Sequence, residues 1–164
     1  MLKSETLLPE FDHEMATTRA FFQRLPLQKM DWQPHPKSGT LGWLANHIRE
    51  LPAWVPNLLT TDSIDMSSFQ PPTQLVTIEE ILARFDKNVA DARAAIVATS
   101  DEAFMKPWSL LFNGQTIFSM PRIAVLRTMV TSHMIHHRAQ LGLYFRLNDV
   151  PVPSTYGPSA DEKM

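Results

Sequence analysis

The sequence of 164 residues contains no cysteine, which excludes disulfides, thiolate metal sites and a cysteine nucleophile. Glycine is scarce, with five residues, whereas thirteen prolines fall mostly in short clusters. No apolar run approaches the roughly 20 residues that a membrane-spanning helix needs, and the N-terminal segment has no signal-peptide core. These absences predict a cytoplasmic protein without a membrane partner.

The chain also lacks an excess of either charge. Fifteen basic and seventeen acidic residues leave a formal net charge of −2 at pH 7, so nucleic acid is not an expected partner. The apolar fraction of 44% and the charged fraction of 20% are ordinary for a globular protein. We expect a single domain over residues 1–164, since this length can bury about two-thirds of the surface of the unfolded chain.

Apolar residues that recur at spacings of three and four predict four long amphipathic helices. With no convincing run of strands, they predict an all-α fold, and specifically a four-helix bundle with a long connection before the last helix. Pro52 and Pro56 should kink the second helix or end it early. The expected helices are about 6–25, a second from near Ser38 or Thr40 to about 59, a third from Thr77, and about 121–147.

Two short motifs between residues 77 and 114 predict local structure. Thr77 and Glu80 match the capping-box pattern, in which the side chain of each residue satisfies a backbone amide at the helix start. Asn113-Gly114 is a turn signal, so residues 105–118 form either a short hairpin or a loop.

The C-terminal tail, DVPVPSTYGPSADEKM, is expected to be extended or weakly structured. Its Tyr156 and the acidic pair Asp161-Glu162 could fold over the mouth of a pocket. A frayed tail is the favoured interpretation.

Three of the six histidines lie within TSHMIHHRAQ, residues 131–140. Successive helical residues turn by ~100°, so His133 and His137 project one turn apart on the inward face, and His136 lies about a quarter-turn away. Two imidazoles at i and i+4 can bind one metal ion, although a histidine on an apolar face is more often a core residue with one hydrogen-bond partner. Met134 replaces the glutamate of HExxH, which argues against a zincin-type protease.

His47 is the predicted third ligand, because it follows the inward-facing rhythm of the second helix between Leu44 and Leu51. Three neutral imidazoles leave coordination positions open for water or substrate, as in a catalytic metal site. The second nitrogen of each ring then needs a partner of its own. Glu50, one turn after His47, and Gln140, three residues after His137, are candidates, and solvated surface residues are the alternative.

The other histidines carry weaker signals. His35 lies between two prolines and is expected to be solvated. Glu10-Phe11-Asp12-His13 is the only Glu-x-x-His motif, so a di-iron centre, which needs two such motifs, is excluded. Two alternatives remain for His136: it lines a pocket, or it forms a hydrogen bond to a neighbouring helix. No G-x-S-x-G motif supports a serine hydrolase.

The sequence resembles the DinB-like proteins of the DinB/YfiT superfamily over nearly its whole length. The resemblance rests on His47 followed by ELP, on HMIHHRAQL, and on YFRLNDVPVPSTYGPSADE. It implies a four-helix bundle that assembles as a homodimer and holds a divalent metal, nickel or zinc, through His47, His133 and His137. Ala139 replaces the glycine that often occurs in the HRGQ version of the motif.

Family members with an assigned activity are metal-dependent thiol S-transferases that use bacillithiol, mycothiol or a similar thiol, and others are described as hydrolases. The resemblance therefore implies a metal-dependent enzyme of one of these two types that acts on a small molecule. A metal would lower the pKa of a bound thiol or water, which serves either reaction. The alternative is a non-catalytic, stress-related dimeric scaffold. The family's name refers to induction by DNA damage and does not imply contact with DNA.

Overall fold

The computed structural model describes residues 3–163 and is mostly helical. The helices are α1 (Lys3–Phe22), α2 (Leu41–Glu50), α3 (Trp54–Thr60), α4 (Ile78–Ala98), α5 (Asp101–Met105), α6 (Arg122–Val125) and α7 (His133–Leu147). The strands are β1 (Ser63–Asp65), β2 (Pro107–Phe112) and β3 (Gln115–Pro121), and short 3-10 turns occur at Leu27–Lys29, Leu51–Ala53 and Met66–Ser68.

Helix α2, which carries His47, begins at a side-chain cap. Thr40 Oγ1 accepts a hydrogen bond of 3.1 Å from the backbone N–H of Trp43, which satisfies one of the amides left without a partner in the first turn. The helix ends at Glu50, and the 3-10 turn Leu51–Ala53 separates it from α3. The predicted interruption near Pro52 is therefore confirmed.

Helix α4 begins at the predicted capping box. Thr77 Oγ1 accepts from the Glu80 backbone N–H at 3.2 Å, and Glu80 Oε2 accepts from the Thr77 backbone N–H at 3.3 Å. This prediction is confirmed.

The last long helix contains a wide segment that the sequence did not predict. Helix α6 passes into π-helical turns over Leu126–Ser132 and then into α7, which starts at His133. The predicted extent, about 121–147, is confirmed. Short π-helical insertions within α-helices are frequent at functional sites, and this one directly precedes the histidine cluster.

The all-α prediction is confirmed only in part, because the mostly helical chain also contains a three-stranded sheet. Its order is β1-β2-β3, with β1 parallel to β2 and β2 antiparallel to β3. Asn113 (φ 51°) and Gly114 (φ 75°) join β2 to β3, and positive φ at both turn residues is what a type I′ hairpin requires. Of the two alternatives for 105–118, the hairpin is present, and it lies in the long connection before the last helix.

Helices α1, α2, α4 and α7 all contribute residues to one apolar core. Helix α1 contacts α4 and α7, and α2 contacts the same two helices. Helices α2 and α7 therefore pack directly against each other. Residues buried in this core include Phe11, Phe22, Leu41, Leu44, Ile48, Ile81, Phe85, Leu141 and Phe145. Within residues 3–163, no helix has the length and apolar content that crossing a bilayer requires.

The tail is irregular, as predicted, but the described part of it is not frayed. Arg146 forms an ion pair with Asp161, and Arg24 forms one with Glu162. These contacts hold the tail against the ends of α1 and α7.

Candidate metal centre

Three histidines from two helices converge on one point. His47 Nε2 lies 3.3 Å from His133 Nε2, and His137 Nε2 lies 2.8 Å from the same atom. One ring nitrogen from each residue lies within 4.8 Å of the other two. The structure therefore brings together all three residues that the sequence singled out as metal ligands.

The outer nitrogens of two rings face oxygen atoms. His137 Nδ1 is 2.7 Å from Gln140 Oε1, and His133 Nδ1 is 3.3 Å from the Met129 carbonyl oxygen. Both oxygens accept hydrogen bonds, so the tautomer with its hydrogen on Nδ1 satisfies both contacts. In that tautomer, the Nε2 lone pairs of the neutral His133 and His137 rings face each other.

This arrangement fits a divalent cation. Two lone pairs 2.8 Å apart repel each other unless a positive charge lies between them. Two nitrogens that each bind one ion at about 2.1 Å stand roughly 3.0 Å apart in octahedral geometry and roughly 3.4 Å apart in tetrahedral geometry, and the observed spacings of 2.8 and 3.3 Å are close to this range. The hydrogen bonds at Nδ1 are also the kind of outer contact that orients metal-binding histidines.

The surroundings favour neutral imidazoles. Burial, reinforced by the nearby rings of His137 and His133, lowers the pKa of His47 to about 4. Burial also lowers the pKa of His137. Since a metal binds the neutral ring, these two residues are in the binding form at neutral pH.

Trp43 is a site residue that the sequence reasoning missed. Its indole lies parallel to the His47 ring, with centroids 5.1 Å apart and planes at 4°. Gly39 makes room for it, since a Cβ at that position would lie 2.3 Å from Trp43 Cε3. The available signal was the i, i+4 spacing of Trp43 and His47, which places both residues on one face of α2.

The predicted partner of His137 is present, but the one suggested for His47 is not. Gln140 makes the expected hydrogen bond to His137. The Glu50 carboxylate instead accepts from Arg84 Nε at 3.2 Å and lies 3.1 Å from Arg49 Nε. The suggestion for Glu50 was wrong because α4 supplies a cation that local spacing in α2 could not reveal.

The remaining histidines lie outside the cluster. His136 is exposed, and its ring centroid is 4.9 Å from that of His137. His35 is exposed, as predicted, and its Nδ1 accepts from the Lys37 backbone N–H at 3.1 Å. His13 is also exposed.

Tyr156 does not cover the histidines. Its hydroxyl donates to Glu14 Oε1 at 2.8 Å and accepts from Arg138 Nη2 at 3.0 Å. Arg138 lies about 140° around the helix from His133, since the two are five residues apart. The tail is thus fixed on a different face of α7 from the metal centre.

A cavity of about 410 Å³ opens beside His47 and His133, a size within the usual range for small-molecule sites. Asn46 holds part of its wall in place, because its side chain bonds to both backbone groups of Leu75, at 2.7 and 3.0 Å. The other lining residues are Trp43, Glu50, Leu51, Trp54, Met66, Phe69, Pro71, Pro72, Gln74, Leu110 and Met129.

The fold and the histidine cluster together define a mostly helical protein with a candidate three-histidine metal centre between two helices. The family model of the DinB superfamily matches residues 10–141, and the chain belongs to this superfamily.

Two solved structures share the fold. One is a DinB-like protein from Bacillus cereus ATCC 10987, with 20% identity, a TM-score of 0.71, and coverage of 93% of this chain and 97% of the other. The second is a DinB-like protein from Bacillus subtilis, with 15% identity, a TM-score of 0.70, and coverage of 92% and 97%. The comparison with curated proteins found no match.

Proposed function

We propose that this protein is a divalent-metal-dependent enzyme that acts on a small molecule through His47, His133 and His137, with nickel or zinc as the metal. The observation that carries the proposal is the convergence of three imidazoles, in which two Nε2 atoms lie 2.8 Å apart and the outer Nδ1 of each of these two rings faces an accepting oxygen. A cation at this point would remove the repulsion. The adjoining cavity supports a catalytic role over a purely structural one, because substrate could reach the centre through it.

The side chains around the centre have separate roles in this proposal. A divalent ion held by neutral imidazoles would supply a positive charge that lowers the pKa of a thiol or water beside it. Gln140 fixes the orientation of the His137 ring through Nδ1. The indole of Trp43 covers one face of the His47 ring and excludes water there.

Between the two reactions open to such a centre, we favour thiol S-transfer over hydrolysis. Among the residues that line the cavity in the described chain, Glu50 is the only carboxylate, and Arg49 and Arg84 hold it. Hydrolysis of an amide or ester also needs an acid that protonates the leaving group. A thiol, with an ordinary pKa of ~8.5, can release its proton to solvent beside a cation. Its sulfur would then form a bond to an electrophilic carbon of the substrate, while the bond from that carbon to the leaving group breaks and the leaving group departs with the electron pair.

We also propose that α1, α2, α4 and the last helix form a four-helix bundle and that the chain assembles as a homodimer. Both features follow from the resemblance described above. The contacts between these helices support the bundle. Light scattering coupled to size-exclusion chromatography would measure the mass of the assembly.

Elemental analysis of protein purified without added metal tests the metal centre. The parent is expected to carry about one divalent ion per chain, and His47→Ala is expected to lose most of it because two imidazoles remain. His35→Ala is the matched control, since this exposed histidine lies outside the cluster. Equal metal content in the parent and in His47→Ala would contradict the proposal.

Turnover is tested with metal-loaded protein, a model electrophile, and bacillithiol, glutathione or coenzyme A. Thioether formation that is lost in His137→Ala, with the fold retained by circular dichroism, is the expected result. Ester cleavage without a thiol would support a hydrolase instead. Metal binding without either reaction would support the non-catalytic scaffold.

A further inference from the structure

The walls of the cavity beside the histidines indicate the chemical class of the molecule that enters it. We propose that this cavity binds an uncharged, flat apolar group, such as the aromatic ring system of a small electrophile. The reaction of such a molecule depends on the function proposed above. The binding of this molecule to the cavity does not depend on that function, and it can be measured without turnover.

Three aromatic side chains line the cavity. Trp54 and Phe69 form a tilted pair with ring centroids 5.7 Å apart, and Trp43 lies against His47. Phe69 is 42% exposed and Trp43 is 44% exposed, so both offer apolar surface that a ligand could cover. Stacked or edge-on contact with a flat ring would gain energy beyond the burial of area alone.

The remaining walls are apolar and adaptable. Leu51 and Leu110 contribute aliphatic surface, while Met66 and Met129 contribute flexible thioethers that adjust to irregular shapes. A space of about 410 Å³ holds on the order of ten waters at ~30 Å³ each. Release of these waters from apolar walls favours an apolar ligand.

Apart from the divalent ion proposed above, the charges near the cavity offer no free counter-ion. Glu50 is the only charged residue among those lining the cavity in residues 3–163. Its carboxylate forms ion pairs with Arg49 and Arg84, and Glu80 also acts on the Arg49 charge. The charges of these two cations and two anions sum to zero. A charged ligand would therefore lose hydration in the apolar part of the cavity without gaining a partner.

Calorimetric titration with three naphthalenes of similar size tests this inference. Naphthamide is neutral, naphthoate is an anion and naphthylmethylammonium is a cation. Each is titrated into the full-length protein as purified and into His137→Ala. The variant disrupts the three-histidine cluster, so the carboxylate of naphthoate has no complete metal centre to bind. The substitution also leaves the cavity walls unchanged, because His137 does not line the cavity. In the variant, naphthamide is expected to bind about tenfold more tightly than either ion.

Phe69→Ala should weaken naphthamide binding roughly threefold to tenfold, because it removes one member of the aromatic pair. Phe112→Ala is the matched control, since Phe112 is 51% exposed and lies at the hairpin end of β2, outside the cavity lining. It should leave the affinity unchanged. Circular dichroism checks the fold of both variants, and the comparison of the three ligands remains decisive if Phe69→Ala does not fold.

Three results would overturn the inference: no saturable naphthamide binding, equal or tighter binding of either ion in His137→Ala, or unchanged affinity in folded Phe69→Ala. The proposed function can fail separately. Selective naphthamide binding by a protein without metal or turnover would leave the inference standing and remove the enzyme. Metal-dependent turnover together with any of these three results would do the reverse.

Discussion

At the scale of single residues, the hydrogen bond between Gln140 and His137 decides which ring nitrogen faces the metal centre. Gln140→Ala removes the oxygen that accepts from His137 Nδ1, so the ring can rotate or change tautomer. Loss of such an outer contact typically weakens metal affinity 10- to 100-fold. Competition with a chromophoric chelator should show a loss of roughly that size.

Two variants sharpen this prediction. Gln140→Glu keeps an accepting oxygen and should retain most of the metal affinity. Gln115→Ala changes an exposed glutamine at the start of β3 and should have no effect. An affinity in Gln140→Ala equal to that of the parent would mean that other contacts hold the His137 ring.

Acid should destabilise the metal-free protein through His47. Its pKa of about 4 in the folded chain is below the ordinary value of 6.5, so the unfolded chain takes up this proton first as the pH falls. The contribution is fully present above about pH 6.5 and is lost as the pH falls from there to about 4. Urea unfolding at pH 7 and pH 5 should show a smaller pH effect in His47→Gln than in the parent. The same pH effect in both proteins would contradict this assignment.

At the scale of elements, Asn46 of α2 ties down the segment that leads into α4 and forms one wall of the cavity. Asn46→Ala removes both hydrogen bonds to Leu75. The loss of about 1.4 kcal/mol or more from this segment would speed exchange of the Leu75 amide at least tenfold. Hydrogen exchange measured by NMR tests this. Asn57→Ala, in α3, should leave the Leu75 amide unchanged.

Elements with local signals were predictable from the sequence. The start of α4 is encoded by Thr77 and Glu80, and the hairpin turn by Asn113-Gly114, and both signals act within a few residues. Strand β1 has no such signal, because its three residues form a strand only by pairing with β2, where Ser63 lies opposite Ser109. The periodicity of the last helix also gave no sign of its π-helical turns, since the apolar spacing remains compatible with one continuous helix.

The same distinction applies to the metal centre. His47, His133 and His137 share the inward-facing rhythm of their helices, so their convergence could be predicted. Gln140 lies on the same helix as its partner, and simple geometry was enough to find it. The partner of Glu50 could not be found in this way, because Arg84 is 34 residues away on another helix.

At the scale of the whole molecule, a buried ion pair joins the two ends of the chain. Arg138 of α7 donates to Glu14 Oε2 of α1 at 2.6 Å, and Tyr156 of the tail bonds to both residues. The Arg138 and Glu14 side chains are only 2% and 5% exposed. A charge left alone in such a place retains its desolvation cost without the attraction that offsets it.

Glu14→Ala should therefore lower the free energy of unfolding by about 3–5 kcal/mol, because it leaves the Arg138 charge buried without its counter-ion. Asp12→Ala is the matched control on α1. The side chains of Asp12 and Arg93, which form an ion pair, are 44% and 50% exposed. Loss of this pair should therefore lower the free energy of unfolding by at most ~1 kcal/mol. Chemical denaturation compares the two variants. Similar losses in both would show that water reaches the Glu14 pair.

The parallel contact between Trp43 and His47 gives the molecule an optical indicator of its own. A paramagnetic ion such as nickel(II) bound at the imidazole would lie within a few ångströms of the indole and quench its emission, whereas zinc, which is diamagnetic, would quench far less. Because the chain has four tryptophans, the difference in emission between the parent and Trp43→Phe would then report how full the centre is and which kind of ion has entered it.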